Sequence, residues 1–148
     1  MAIEVTETAL TGVNSAAARP HLERFRAAGG YIALDDFGTG NSSITLLKDI
    51  PYSSVKIDRS FIRDLTHNEA DLAIVRSIVR LSRELGFKIV AEGIETKEQA
   101  QLLRKLRVDL LQGYLYSRPL PAAKLTELLD WASPPRRRAR SAPDADAA

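Results

Sequence analysis

Apolar residues along the chain gather into five short runs, and between them the spacing widens to the three-and-four rhythm of helices. The runs are Ile3 to Val5, Tyr31 to Leu34, Ser54 to Ile57, Phe87 to Ala91 and Val108 to Leu111, each read as a strand. The clearest helix is predicted over Glu69 to Leu85, where Leu72, Val75, Ile78, Val79 and Leu85 form one stripe. Arg76, Arg80 and Arg83 lie away from that stripe, and Gly86 ends the helix. An earlier helix is predicted from Asn14 or Ser15 to Ala28, with Leu22, Phe25 and Ala28 at helical spacing. Pro20 disfavours regular helix before it, and Gly29-Gly30 is the stop. Thr96 is placed to cap a helix through Leu106, with Glu98 and Gln99 in its first turn. A short helix is expected around Ser43 to Asp49, cut off by Pro51, and a last one runs to about Trp131.

Strand and helix thus alternate, with one strand in roughly every 20 to 35 residues, the pattern of an α/β protein with a parallel sheet. In such folds ligands meet the carboxyl ends of the strands. Here those ends carry Glu4 and Glu7, then Asp35 and Asp36, then Lys56 and Asp58, then Glu92 and Glu95, then Gln112. One end of the sheet would therefore gather acids around a single lysine. The adjacent pair Asp35-Asp36 has two readings: carboxylates held together by a divalent cation, or the start of a turn completed by Gly38 and Gly40. Lys56 would either meet a phosphoryl group or water, or form a salt bridge with Asp58 or Asp36. Glu92 and Glu95 equally suit a loop and a first helical turn, and Gln112 suits a backbone cap at a strand end. Oxygen donors with one lysine, and neither His nor Cys, describe a site for magnesium or manganese. Two such ions activate water and stabilise the oxygens of a phosphoester displacement. An enolase-type proton abstraction would use similar parts.

Composition narrows the class further. The 148 residues suit one average domain of globular composition, with no apolar run long enough to span a membrane and no secretory leader after Met1. A cytoplasmic protein is expected. The net charge of +2 is accounted for by Arg136, Arg137, Arg138 and Arg140 against Asp144 and Asp146. The body is then near neutral, which gives no ground for a nucleic-acid polymer as partner. Residues 133–148, rich in Pro, Arg, Ala and Asp, are expected to be a disordered tail after a domain over residues 1–132. His21 and His67 are assigned no role, and the absence of cysteine rules out disulfides and thiolate metal sites.

The ordered series Glu4-Val5-Thr6-Glu7, Asp35-Asp36-Phe37-Gly38-Thr39-Gly40, Lys56-Ile57-Asp58, Ala91-Glu92-Gly93-Ile94-Glu95-Thr96, Gln112-Gly113-Tyr114 and Ser117-Arg118-Pro119-Leu120 resembles the EAL domain family over about Ile3 to Leu129. Those domains are phosphodiesterases that linearise cyclic dimeric GMP (cyclic di-GMP) to pGpG. The resemblance implies a barrel of the triosephosphate isomerase type with its first strand reversed, of which this chain would supply about the last five strands.

It further implies that Glu4 and Asp35 are metal ligands, with Asp35 shared between two cations and Asp36 serving the second. Lys56 would contact the nucleophilic water or the scissile phosphate, Glu92 would be the general base, and Asp58 and Gln112 would belong to the metal and water shell. Glu7 would hold the loop Phe37 to Asn41, Glu95 would help order the site, and Arg118 and Pro119 would bind substrate. The Glu-Ala-Leu motif itself does not occur in the 148 residues, nor does the strand whose Asn binds metal. Two expected ligands are thus missing, and little hydrolysis by the chain alone is expected. The resemblance leaves room for a homodimer, an upstream half of the barrel, a cyclase (GGDEF) or sensory region, and an inactive nucleotide-binding or protein-interaction module.

Overall fold

The computed structural model describes residues 1–10, 13–38, 47, 48 and 50–132 of the chain. The expected helix around Ser43 to Asp49 falls mostly outside them, and the expected tail wholly so, apart from Leu47 and Lys48, which are helical. Two compact units are present, Met1–Ser117 and the segment from Arg118 onward.

The first unit contains a five-stranded sheet: β1 (Ala2–Thr6), β2 (Tyr31–Phe37), β3 (Ser54–Ile57), β4 (Lys88–Ala91) and β5 (Leu110–Leu111). Every neighbouring pair is parallel and the spatial order is β1-β2-β3-β4-β5. An order with no reversal means that each right-handed crossover steps the same way, so the helices stay on one face. Doubly wound sheets reverse their order at a switch point, whereas barrels do not. The observed sheet is therefore a segment of a β/α barrel.

The crossovers carry a 3-10 turn (Glu7–Leu10) and helices α1 (Val13–Ala27), α2 (Arg59–Arg63), α3 (Glu69–Leu85) and α4 (Lys97–Lys105). Because side chains alternate along a strand, the register sorts them into two faces. Ile32, Leu34, Val55, Ile57, Ile89 and Ala91 point to the helix side and are buried with Ile62, Val75, Val79 and Leu103. Burying each large aliphatic side chain contributes about 1.5 to 3 kcal/mol, so this layer supplies most of the driving force for the unit. The opposite face carries Glu4, Ala33, Asp35, Ser54, Lys56 and Val90, aligned by the pairs Glu4↔Ala33, Ala33↔Ser54 and Lys56↔Val90.

Local signals account for the helix ends. Asn68 caps α3 by accepting from Ala70 and Asp71 N–H, and Gly86 closes it in the left-handed conformation at φ 79°. Three expectations are corrected. Helix α1 runs through Pro20 instead of being interrupted by it; the ring is exposed, so the missing backbone hydrogen bond falls on a side that water reaches. Strand β2 does not end at Leu34 but continues through both aspartates to Phe37. Strand β5 is two residues long, because the Asp109 carboxylate accepts the Ile89 N–H at 2.8 Å, where a strand carbonyl would otherwise stand.

The second unit holds α5 (Ala122–Ala132), with Leu125, Leu128 and Leu129 exposed along it. Arg118 and Pro119 fall in this unit and are exposed.

Candidate metal and phosphate site

The site is built around one buried ammonium. Lys56 lies in β3, whose four residues are all buried, so its side chain is largely withdrawn from water and its charge needs anions within the fold. It finds three. Its Nζ lies 2.8 Å from Asp35 Oδ1, 2.9 Å from Glu92 Oε1 and 3.1 Å from Glu4 Oε1. The anions come from β2, from the residue after β4, and from β1, so the parallel register is what assembles them. Burial works against the charge, but the hydrogen bonds with Asp35, Glu92 and Glu4 and the Coulomb attraction of Glu92 outweigh it, holding the lysine above its ordinary pKa. The salt bridges to Asp58 or Asp36, weighed from sequence as the alternative for Lys56, are not its partners.

A backbone irregularity adds the fourth carboxylate. Between Leu34 and Phe37 strand β2 carries one residue more than β3, which pairs Leu34↔Val55 and Phe37↔Ile57. This is a bulge, and Asp36 takes it at φ 54°, a left-handed conformation uncommon for a residue other than glycine. In a regular strand neighbouring side chains point to opposite faces. The bulge turns Asp36 round, and ligand oxygens of Asp35, Asp36 and Glu92 all lie within 4.8 Å of one another. The turn reading of Asp35-Asp36 is accordingly replaced by a kinked strand that brings both carboxylates to one place.

The donors fit a hard cation: all are carboxylate oxygens, they converge from β1, β2 and the end of β4, and a positive group already occupies their focus. Beside them a hollow of about 550 Å³ opens on the same face of the sheet, lined by Glu4, Ser54, Lys56, Val90, Gln112 and Tyr116 among others.

The remaining candidates take defined positions. Asp58 caps α2, its Oδ1 accepting the Ser60 N–H at 2.9 Å. Burial pushes its pKa upward, but the hydrogen bonds from Ser60 and the backbone of Arg59 and the charge of Arg59 bring it below the ordinary aspartate value. Glu7 is buried, and its Oε2 accepts the Gly38 N–H at 3.4 Å, tying the turn after β1 to the end of β2. Residues 39–41 of the loop assigned to it lie outside the described residues. Gln112 is exposed on the hollow, with its backbone N–H on Ala91 O and its carbonyl on Ile94 N–H. The side chain of Glu95 is exposed, and its N–H is held by Gln99 Oε1 at 2.9 Å.

Two supporting residues were not singled out as site residues from sequence. Gly113 packs so closely on the loop after β4 that a Cβ there would lie 2.1 Å from Ile94 O. Gln99, anticipated only as part of a helical first turn, is 4 % exposed and bridges two segments of the site. A glycine beside a strand-end glutamine and a glutamine three residues after a capping threonine are the signals that point to them.

Comparison with known proteins gives a consistent picture. The family model for the EAL domain matches residues 1–119. The cyclic di-GMP phosphodiesterase NbdA of Pseudomonas aeruginosa is 46 % identical over 127 residues, covering 86 % of this chain and 16 % of NbdA. A solved structure of the PaMucR phosphodiesterase in complex with c-di-GMP superposes with a TM-score of 0.77 at 48 % identity, covering 84 % of this chain and 50 % of that one. Klebsiella pneumoniae BlrP1, solved with manganese and cy-diGMP, superposes with a TM-score of 0.72 at 39 % identity, covering 80 % of this chain and 30 % of BlrP1. The chain thus spans less than a fifth of NbdA and half of the PaMucR structure.

Proposed function

The chain belongs to the EAL domain family, and we propose that its site serves the metal-assisted hydrolysis of one phosphodiester bond of cyclic di-GMP, giving pGpG. The observation that carries the reading is the convergence of Glu4, Asp35 and Glu92 on the Lys56 ammonium, with Asp36 turned toward them by the bulge.

Glu4, Asp35 and Asp36 would hold divalent cations, magnesium or manganese, which when bound lower the pKa of water and neutralise charge on a phosphoryl group. Glu92 takes the proton of the attacking water, within reach of the same centre. Lys56 lines the hollow together with Glu4 and would meet the phosphate oxygens as a fixed positive charge. Water oxygen bonds to phosphorus, the ester oxygen departs and takes a proton from solvent to become a hydroxyl, and the ring of the dinucleotide opens. Asp58 and Gln112 complete the surrounding water shell; since Asp58 Oδ1 is committed to Ser60, its part falls to Oδ2. Glu7 fixes the end of β2 that carries the aspartates, and Glu95 orders the Glu92 loop. A second copy of the chain, an upstream barrel half, or a cyclase or sensory region are partners in the same reading.

The test is to incubate the purified chain with cyclic di-GMP and Mn²⁺ and to separate the nucleotides by chromatography. Slow appearance of pGpG, abolished by Glu92→Gln, supports the reading. Nucleotide binding in calorimetry without any pGpG favours a binding module instead, and failure to bind either Mn²⁺ or nucleotide overturns both.

A further inference from the structure

Gln99 lies in the first turn of α4, 4 % exposed, and every hydrogen-bonding position of its amide is occupied. Its Oε1 accepts from Glu95 N–H at 2.9 Å and Thr96 N–H at 3.0 Å. Its Nε2 donates to Ile62 O at 3.1 Å and Arg63 O at 3.0 Å. The orientation of the amide is fixed by these partners, two donors facing the oxygen and two acceptors facing the nitrogen.

What it joins matters more than how many bonds it makes. Ile62 and Arg63 end α2, which Asp58 caps directly after the strand that carries Lys56. Glu95 and Thr96 end the loop that begins at Glu92. The two limbs are therefore clamped together by one buried side chain, and at their other ends stand the two groups whose charged atoms lie 2.9 Å apart. A helix cap alone requires only the oxygen half of this amide. The nitrogen half spans 36 and 37 residues of sequence and does nothing for α4.

We infer that Gln99 is a positioning residue that sets the distance of Glu92 from Lys56 and so the shape of the metal site. The inference rests on the functional reading above for its consequence, and on the four contacts for its geometry. Residues that orient metal-binding carboxylates typically change metal affinity 10- to 100-fold when replaced.

The test compares two variants of the full chain. Gln99→Glu keeps an oxygen for the Glu95 and Thr96 N–H groups but has no hydrogen to offer Ile62 and Arg63. Thr96→Ala removes the cap oxygen and leaves the clamp. Free Mn²⁺ followed by electron paramagnetic resonance should give a dissociation constant raised tenfold or more in Q99E and less than threefold in T96A, although both lower the melting temperature. Equal constants in Q99E and wild type, or a loss that tracks melting temperature across both variants, would overturn the inference. If the wild-type chain does not bind Mn²⁺, the functional reading fails while Gln99 is still decided by amide hydrogen exchange. Exchange over Gly93 to Glu95 at least tenfold faster in Q99E than in T96A supports the clamp, and equal rates refute it.

Discussion

Replacing Lys56 by methionine removes a charge and little volume, and the structure sets the size and sign of the result. In the wild type one ammonium lies within 3.1 Å of three carboxylates, two of which, Asp35 and Glu92, have side chains only 20 % and 19 % exposed. Glu4 is 60 % exposed and contributes at most about 1 kcal/mol. Removing one partner of a buried ion pair costs about 3 to 5 kcal/mol. Since the two inner carboxylates keep some contact with water, we expect K56M to be destabilised by about 2 to 4 kcal/mol in the absence of metal. The cause is carboxylate repulsion, so a divalent cation should reverse it. Any ligand of the native state stabilises by RT ln(1 + [L]/Kd), about 2.7 kcal/mol at one hundred times Kd.

The same argument gives a second, less intuitive consequence. Lys56 competes with metal for the oxygens of Glu4, Asp35 and Glu92, so K56M should bind Mn²⁺ more tightly than the wild type while losing hydrolysis. Urea denaturation in EDTA and then in saturating Mn²⁺, with calorimetry for Kd, measures both effects. A K56M protein as stable as wild type without metal, and binding Mn²⁺ no more tightly, would refute the view that this lysine is the counter-charge of the site.

The other expectations follow from the same geometry. Asp35→Asn should lower both metal-free stability and Mn²⁺ affinity, because it loses Lys56 as well as a ligand oxygen, and Asp36→Asn should lower Mn²⁺ affinity about tenfold. The folded pKa of Lys56 is raised, so its contribution is complete below the unfolded value of about 10.4 and is lost as pH rises through the folded one. The stability gap between wild type and K56M should therefore be constant at neutral pH and shrink only in strong alkali, as read from urea midpoints. Gly113→Ala would drive a methyl group against Ile94 O and should cost about 3 kcal/mol, measured by urea midpoint, since neither side of the contact is a flexible side chain.

Much of this was legible along the chain, for reasons that differ from residue to residue. The helix Glu69–Leu85 and the strand Ser54–Ile57 have the predicted ends because their signals are local: an unbroken apolar stripe, a left-handed glycine, a short apolar run. The likeness to the EAL domain family was readable because its motifs keep their order along the chain. Local signals fail where the decision is made by a neighbour. Nothing within Leu34 to Phe37 announces a bulge; it exists because β3 offers one residue fewer in that register. Helix α2 was missed because five residues carry too little periodicity, although Asp58 and Ser60 form its cap. The ion partners of Lys56 are not legible locally, because strand pairing brings Glu4 and Glu92 from 52 and 36 residues away.

Charge counting connects the geometry to the kind of substrate. Of the groups that converge, Glu4, Asp35, Asp36 and Glu92 contribute −4 and Lys56 contributes +1, a sum of −3. An anionic substrate would be repelled by that sum, and in a partly buried site such repulsion amounts to several kcal/mol. One divalent cation leaves −1, which still repels a phosphodiester. Two divalent cations bring the total to +1, which a single phosphodiester anion neutralises. If the proposed reaction on a phosphodiester holds, the count calls for two ions, and a Mn²⁺ titration of the chain with nucleotide present should reach two ions per site before hydrolysis is complete. Saturation at a single ion with full activity would contradict the count.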